Sequence, residues 1–126
     1  MLTLTEFRQA RDLLAGILAD TSLIYSPHFS RQSGAHVYLK PENMQVTGAY
    51  KVRGACFKIS TLTPEERQRG LVTASAGNHA QGVAFAARAF GCKATIVMPT
   101  TTPLIKVNRT KSYGAQVVLY GDVYDE

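Results

Sequence analysis

A lysine stands at the start of a helix-forming run, Thr47-Gly48-Ala49-Tyr50-Lys51-Val52-Arg53-Gly54-Ala55, where the positive end of the helix dipole opposes its charge. Such a lysine is either solvated or kept there for its amine, which once deprotonated attacks carbonyl carbons and takes protons from carbon acids. Further along, Ser75-Ala76-Gly77-Asn78-His79 places a hydroxyl, a glycine and the first N–H groups of a helix in one short loop. That combination suits an anion, a carboxylate or a phosphate. Ser75 and Asn78 are equally suited to capping the helix, so the loop by itself leaves both uses open.

The elements that must carry these residues follow from hydrophobic spacing and stop signals. Thr3 and Glu6 form a capping-box pattern ahead of Phe7, Ala10, Leu14 and Ile17, which predicts an amphipathic helix over 3–19. Residues 21–34, rich in Ser, Pro and Gly, read as a loop, and 36–39 as a short strand closed by Lys40 and Pro41. After a second loop over 42–48, a helix is expected from 49 to 60. Another begins at Thr63, Pro64 and Glu66 and stops at Gly70. From there short apolar strands at 71–74, 94–98 and 117–120 alternate with helices at 80–90 and from 103 to 114. This alternation predicts an α/β fold in three layers, a parallel sheet with right-handed crossovers and helices on both faces. The small residues Ala80, Gly82, Ala84, Ala86, Ala87 and Ala89 should let the 80–90 helix lie close against the sheet. Strand 71–74 aims the 75–79 loop at the carboxyl edge of the sheet, where ligands of such folds bind.

The chain has 126 residues, of which 45% are hydrophobic and 18% charged, enough apolar material for a core. No apolar run reaches the ~20 residues that cross a bilayer, and the start lacks the pattern of an export signal, so no membrane partner and a cytoplasmic location are expected. The net charge of +5 comes from scattered residues such as Arg8, Arg31, Arg67 and Arg69, without the clustering of a nucleic-acid surface, so no nucleic-acid partner is expected. Cys56 and Cys92 form no CxxC pair, and His28, His36 and His79 show no metal-ligand spacing; no metal site is expected. Asp122 and Asp125 look like the start of a further helix, and without it one sheet face stays bare, so the chain is expected to be part of a longer protein.

Taken together, the segments 39–45 (Leu39-Lys40-Pro41-Glu42-Asn43-Met44-Gln45), 47–55 and 75–82 resemble, in order and spacing, the threonine dehydratases (threonine ammonia-lyases). These are pyridoxal-phosphate enzymes of the tryptophan-synthase-β-like fold type. Val97-Met98-Pro99, Lys106 and residues 114–119 extend the resemblance over most of the chain.

The resemblance implies pyridoxal 5'-phosphate as cofactor, an amino acid as the small-molecule substrate, and loss of water from L-threonine or L-serine to give a 2-oxo acid and ammonia. Lys51 matches the lysine that bonds to the cofactor aldehyde and then acts as base. Asn78 matches the residue that contacts the pyridine 3′-oxygen, and Ser75, Ala76, Gly77, Asn78 and His79 match the loop that receives the substrate carboxylate. Tyr50 stands where the family usually has Phe beside the cofactor ring, and Ala49 where Ser is common. Residues 1–48 are expected to belong to the larger domain and 49–126 to form most of a small mobile one. The phosphate-gripping glycine loop is expected beyond Glu126, and a homo-oligomer is expected. Serine racemases share these motifs, but a serine matches Ala76 there, and Ala76 has no proton to give; cysteine synthases usually carry Thr where this chain has His79. A reading of another class is a catalytically silent piece that serves only in folding or association.

Overall fold

The computed structural model describes residues 2–123. Helix α1, Leu4–Leu14, opens on the expected capping box: Thr3 Oγ1 accepts the Glu6 N–H while Glu6 accepts the Thr3 N–H. It ends earlier than the apolar spacing suggests, because Ala15 is extended and Gly16 sits at φ +80°. The Ser/Pro-rich stretch read as a loop contains two elements, strand β1 (Ile24–Tyr25) and helix α2 (Pro27–Ser33). Ser26 caps α2, Pro27 fills its first position, and Gly34 closes it in the left-handed conformation. The strand expected over 36–39 shrinks to β2, Tyr38–Leu39, which pairs antiparallel with β1. A single turn of 3-10 helix, Glu42–Met44, follows.

Helix α3, Lys51–Ser60, begins two residues later than expected, so that Lys51 is its first residue. The cap-and-box start at Thr63 yields α4, Pro64–Arg69. Strand β3 (Leu71–Ala74), helix α5 (Asn78–Ala89), strand β4 (Ala94–Met98), helix α6 (Leu104–Ser112) and strand β5 (Gln116–Leu119) then form the alternating unit, with β5 starting one residue ahead of expectation. The sheet is parallel in the order β3-β4-β5, with Thr73 beside Ile96 and Ile96 beside Val117.

Sequential parallel strands joined by right-handed crossovers put both crossover helices on one face. Ala94, Ile96 and Met98, on that face of the central strand, are buried in one core with Val83, Ala84 and Ala87 of α5 and Val107 of α6. The three-layer expectation is thus met on one face by residues 2–123, and the other is the bare one: Val72 is 77% exposed there. The helix start read at Asp122 and Asp125 runs into residues 124–126, outside the described residues. The small residues of α5 face the sheet as expected and serve a second neighbour as well. Most of their close contact is with α3, whose Val52, Ala55, Cys56 and Ile59 are buried against Ala80, Val83, Ala84 and Ala87. Burial pushes the Cys56 thiol up to about 11, so it packs as a small apolar group. No helix among the described residues is long and apolar enough to cross a membrane.

Candidate active site

Lys51 is the first residue of α3 and is exposed. No carboxylate among the described residues lies within ion-pair reach of it, and its Nζ sits 5.4 Å from the centre of the Tyr50 ring, itself 61% exposed. The helix has no side-chain cap, since Tyr50 in the cap position makes no such hydrogen bond. An amine at an uncapped helix start beside an open aromatic face is available to a ligand.

The 75–79 loop follows β3 at the carboxyl edge of the sheet. Ser75 is buried; its N–H donates to Val97 O across the edge, and its Oγ accepts the N–H groups of Gly77 and Ala80, each at 3.3 Å. Of the two residues suited to capping, Ser75 does it and Asn78 does not. Asn78 is exposed at the first position of α5, His79 beside it is exposed, and Ala76 and Gly77 are partly buried. The amide of Asn78 and the N–H groups of Ala76, Asn78 and His79 have no hydrogen-bond partner among the described residues. This is the donor array of a helix N-terminus, open to a carboxylate.

Gly82 brings the two parts together. A Cβ on it would lie 3.2 Å from both Cα and N of Val52 and 3.3 Å from the carbonyl carbon of Lys51, so any side chain here would push the start of α3 away by a few tenths of an ångström. Asn78 lies four residues before Gly82, on the same face of α5 one turn nearer the N-terminus. The start of α3, at Lys51 and Val52, therefore rests against Gly82, one helical turn from Asn78 at the end of the loop. Sequence reading counted Gly82 among small residues packing on the sheet and missed this contact; nothing in the spacing says which neighbour a small residue serves.

A second missed feature ties α3 to the segment before it. Arg53 Nε donates to Glu42 Oε2 and its Nη2 to Glu42 Oε1, both at 2.8 Å, and Nη2 also reaches Thr21 Oγ1 at 2.8 Å. The Thr21 hydroxyl donates to Glu42, and Lys40 donates to the Thr21 carbonyl. The hydrogen bonds from Arg53, with that from Thr21 and the nearby charges of Arg53 and Lys40, hold the Glu42 carboxyl below the usual carboxylate range against the effect of its burial. A carboxyl lowered in the folded state contributes stability in full above the ordinary carboxylate range and loses it as pH falls through the lowered value. Arg53→Met in the full-length protein is therefore expected to move acid unfolding, followed by circular dichroism, to higher pH. An unmoved transition would mean that the pair adds nothing to the fold.

An open groove of about 650 Å³ runs beneath α1, lined by Phe7, Leu14, Leu18, Phe57 and neighbours. It includes Arg53 and Gly54 but no residue of the 75–79 loop, so this groove lies apart from the loop.

The residues present fit an aromatic aldehyde cofactor and an amino-acid carboxylate: an amine without an ionic partner, an aromatic face next to it, an unpartnered amide, and a helix N-terminus open to an anion. The chain belongs to the pyridoxal-phosphate dependent enzymes, whose family model matches residues 14–126. Within that family, the chain is 52% identical over its whole length to L-threonine ammonia-lyase of Thermotoga maritima and covers 31% of that protein. It thus spans about a third of the length of the curated relatives it matches. Among solved structures, the processed form of threonine deaminase isoform 2 from Solanum lycopersicum superposes with a TM-score of 0.83 at 42% identity, covering 99% of this chain and 36% of that one. Maize serine racemase superposes with a TM-score of 0.88 at 34% identity, covering 97% and 37%.

Proposed function

We propose that the full-length protein is a threonine ammonia-lyase, removing water from L-threonine or L-serine to give 2-oxobutanoate or pyruvate and ammonia. What supports this is the 52% identity to a threonine ammonia-lyase, together with a Lys51 that has no ion-pair partner among the described residues and whose backbone packs on Gly82, one turn from the anion-receptive 75–79 loop. Bound pyridoxal phosphate supplies an aldehyde for the substrate amino group and an electron sink for the negative charge that develops at Cα. Lys51 would be the amine that holds the aldehyde, and its Nζ, once free, would serve as the base for the Cα proton. The N–H groups and Asn78 amide of the loop fix the substrate carboxylate, which sets the direction of the Cα–H bond relative to Lys51. Asn78 and Tyr50 would also help to hold the cofactor ring, by the amide of the one and the aromatic face of the other. The residues that grip the cofactor phosphate belong to the part of the protein outside this chain. Residues 1–48 fall to the larger of two domains and 49–126 to the smaller, in a cytoplasmic homo-oligomer.

The likeness to maize serine racemase gives racemisation as the rival reading. Moving a proton to the opposite face of Cα needs a second acid there, and Ala76, at the position matching the racemase serine, has none. Full-length enzyme given L-serine is therefore expected to release pyruvate with little D-serine, and Ala76→Ser to raise the D-serine share, as read by coupled pyruvate assay and chiral chromatography. Substantial D-serine from the unmodified enzyme would contradict elimination as the main reaction.

A further inference from the structure

We infer that the Arg53–Glu42 pair is a positioning device for Lys51, setting how fast the lysine amine reacts and not how tightly substrate binds. The inference rests on the reading of Lys51 given above. Arg53 lies two residues after Lys51 in the first turn of α3, a turn that no side chain caps. In this turn the Arg53 N–H bonds to the Tyr50 carbonyl at 3.0 Å and Val52 is buried, but no side chain caps the free N–H groups around Lys51. Beyond the packing of Lys51 and Val52 on Gly82, the turn is held on another side: the guanidinium fork engages both oxygens of Glu42, on the 3-10 turn, and also Thr21. The two side chains are 34% and 17% exposed, enough to exclude much of the water that weakens surface pairs.

The far side of this pair is itself anchored. The amide of Gln45, 4% exposed, accepts the Ala19 N–H at 2.9 Å and donates to the Ala19 carbonyl at 3.0 Å. Glu42 and Gln45 therefore bind the 3-10 turn to residues 19–21 at two points, so that Arg53 grips a fixed support. The 75–79 loop is held independently, by Ser75 and the sheet edge, and makes no hydrogen bond to the pair. Loosening the pair leaves the carboxylate receptor in place and lets the lysine drift. Since misplacing a reacting group by about an ångström costs up to roughly a hundredfold in rate, a partial loss of hold should cost about tenfold.

The test uses the full-length holoenzyme and its Glu42→Gln and Arg53→Lys variants, with borohydride labelling of the unmodified enzyme as the reference. Expected for Glu42→Gln are a fall of about tenfold in kcat, a KM within about twofold, and a similar fall in the rate at which apoenzyme bonds added pyridoxal phosphate. Arg53→Lys keeps the charge but not the two-pronged grip, so it should show the same pattern and serves if the other variant does not fold. If the unmodified enzyme is labelled at Lys51 while both variants keep its kcat and bonding rate, the pair only stabilises the fold and the inference is overturned. A rise in KM at constant kcat overturns it too. Labelling at another lysine defeats the reading of Lys51 instead.

Discussion

Replacing Lys51 by Ala in the full-length protein is expected to abolish the visible absorption band of the lysine-bound cofactor and to lower turnover by about a thousandfold or more. The size follows from the two duties proposed for it, since one nitrogen would both hold the aldehyde and take the Cα proton. Neither neighbouring lysine can substitute. Lys40 is engaged with the Thr21 carbonyl, and Lys58 lies two turns along α3. Lys51→Arg should fail nearly as badly, because a guanidinium keeps its proton and forms no bond to an aldehyde. Added pyridoxal phosphate should restore neither variant. An absorbing, active Lys51→Ala enzyme would remove the lysine from the chemistry.

Gly82→Val should be the most damaging change away from the reacting groups. Glycine in a helix costs about 1 kcal/mol relative to alanine, so a side chain here would help α5 if space allowed. Space does not allow it: the first added carbon already meets backbone atoms of Val52 and Lys51 at 3.2–3.3 Å. Backbone held in a buried helix cannot rotate aside as a side chain can, and overpacking of this kind costs typically 1–3 kcal/mol, the upper end applying to a branched residue. The overpacking outweighs the gain in helix preference. Relief by sliding α3 moves Lys51 relative to the loop, so kcat should fall by up to roughly a hundredfold along with the melting temperature. Unchanged kcat and melting temperature would show that the close approach of α3 to α5 does not position the lysine.

Local signals carried the reading of sequence where one residue type performs one task. The boxes at Thr3 and Thr63 and the stop at Gly70 each act within a few residues, and the structure contains them as read. Strands β3 and β4 fall where short apolar runs end on turn residues. Helix α2 was legible in principle, from Ser26, Pro27 and Gly34, but its seven residues lack apolar periodicity and merge into a polar stretch. The side of the sheet to which α5 and α6 go depends on strand order, which periodicity does not encode. The same holds for the site. Lys51 and the 75–79 loop stand out by type and spacing, whereas Gly82, Arg53 and Glu42 act across the fold, on partners that sequence does not name. Ser75 was ambiguous between cap and ligand because a hydroxyl at that place satisfies both, and the structure shows it occupied with the helix. The proposed ligand role therefore rests on the N–H groups and on Asn78.

Borohydride reduction of the full-length holoprotein, followed by proteolysis and peptide mapping, tests the central claim most directly, since reduction fixes the cofactor on whichever nitrogen carries it. The account predicts one labelled peptide, with the cofactor on Lys51 in stoichiometric amount. Label on Lys40, Lys58 or any other lysine, with Lys51 unmodified, would contradict it.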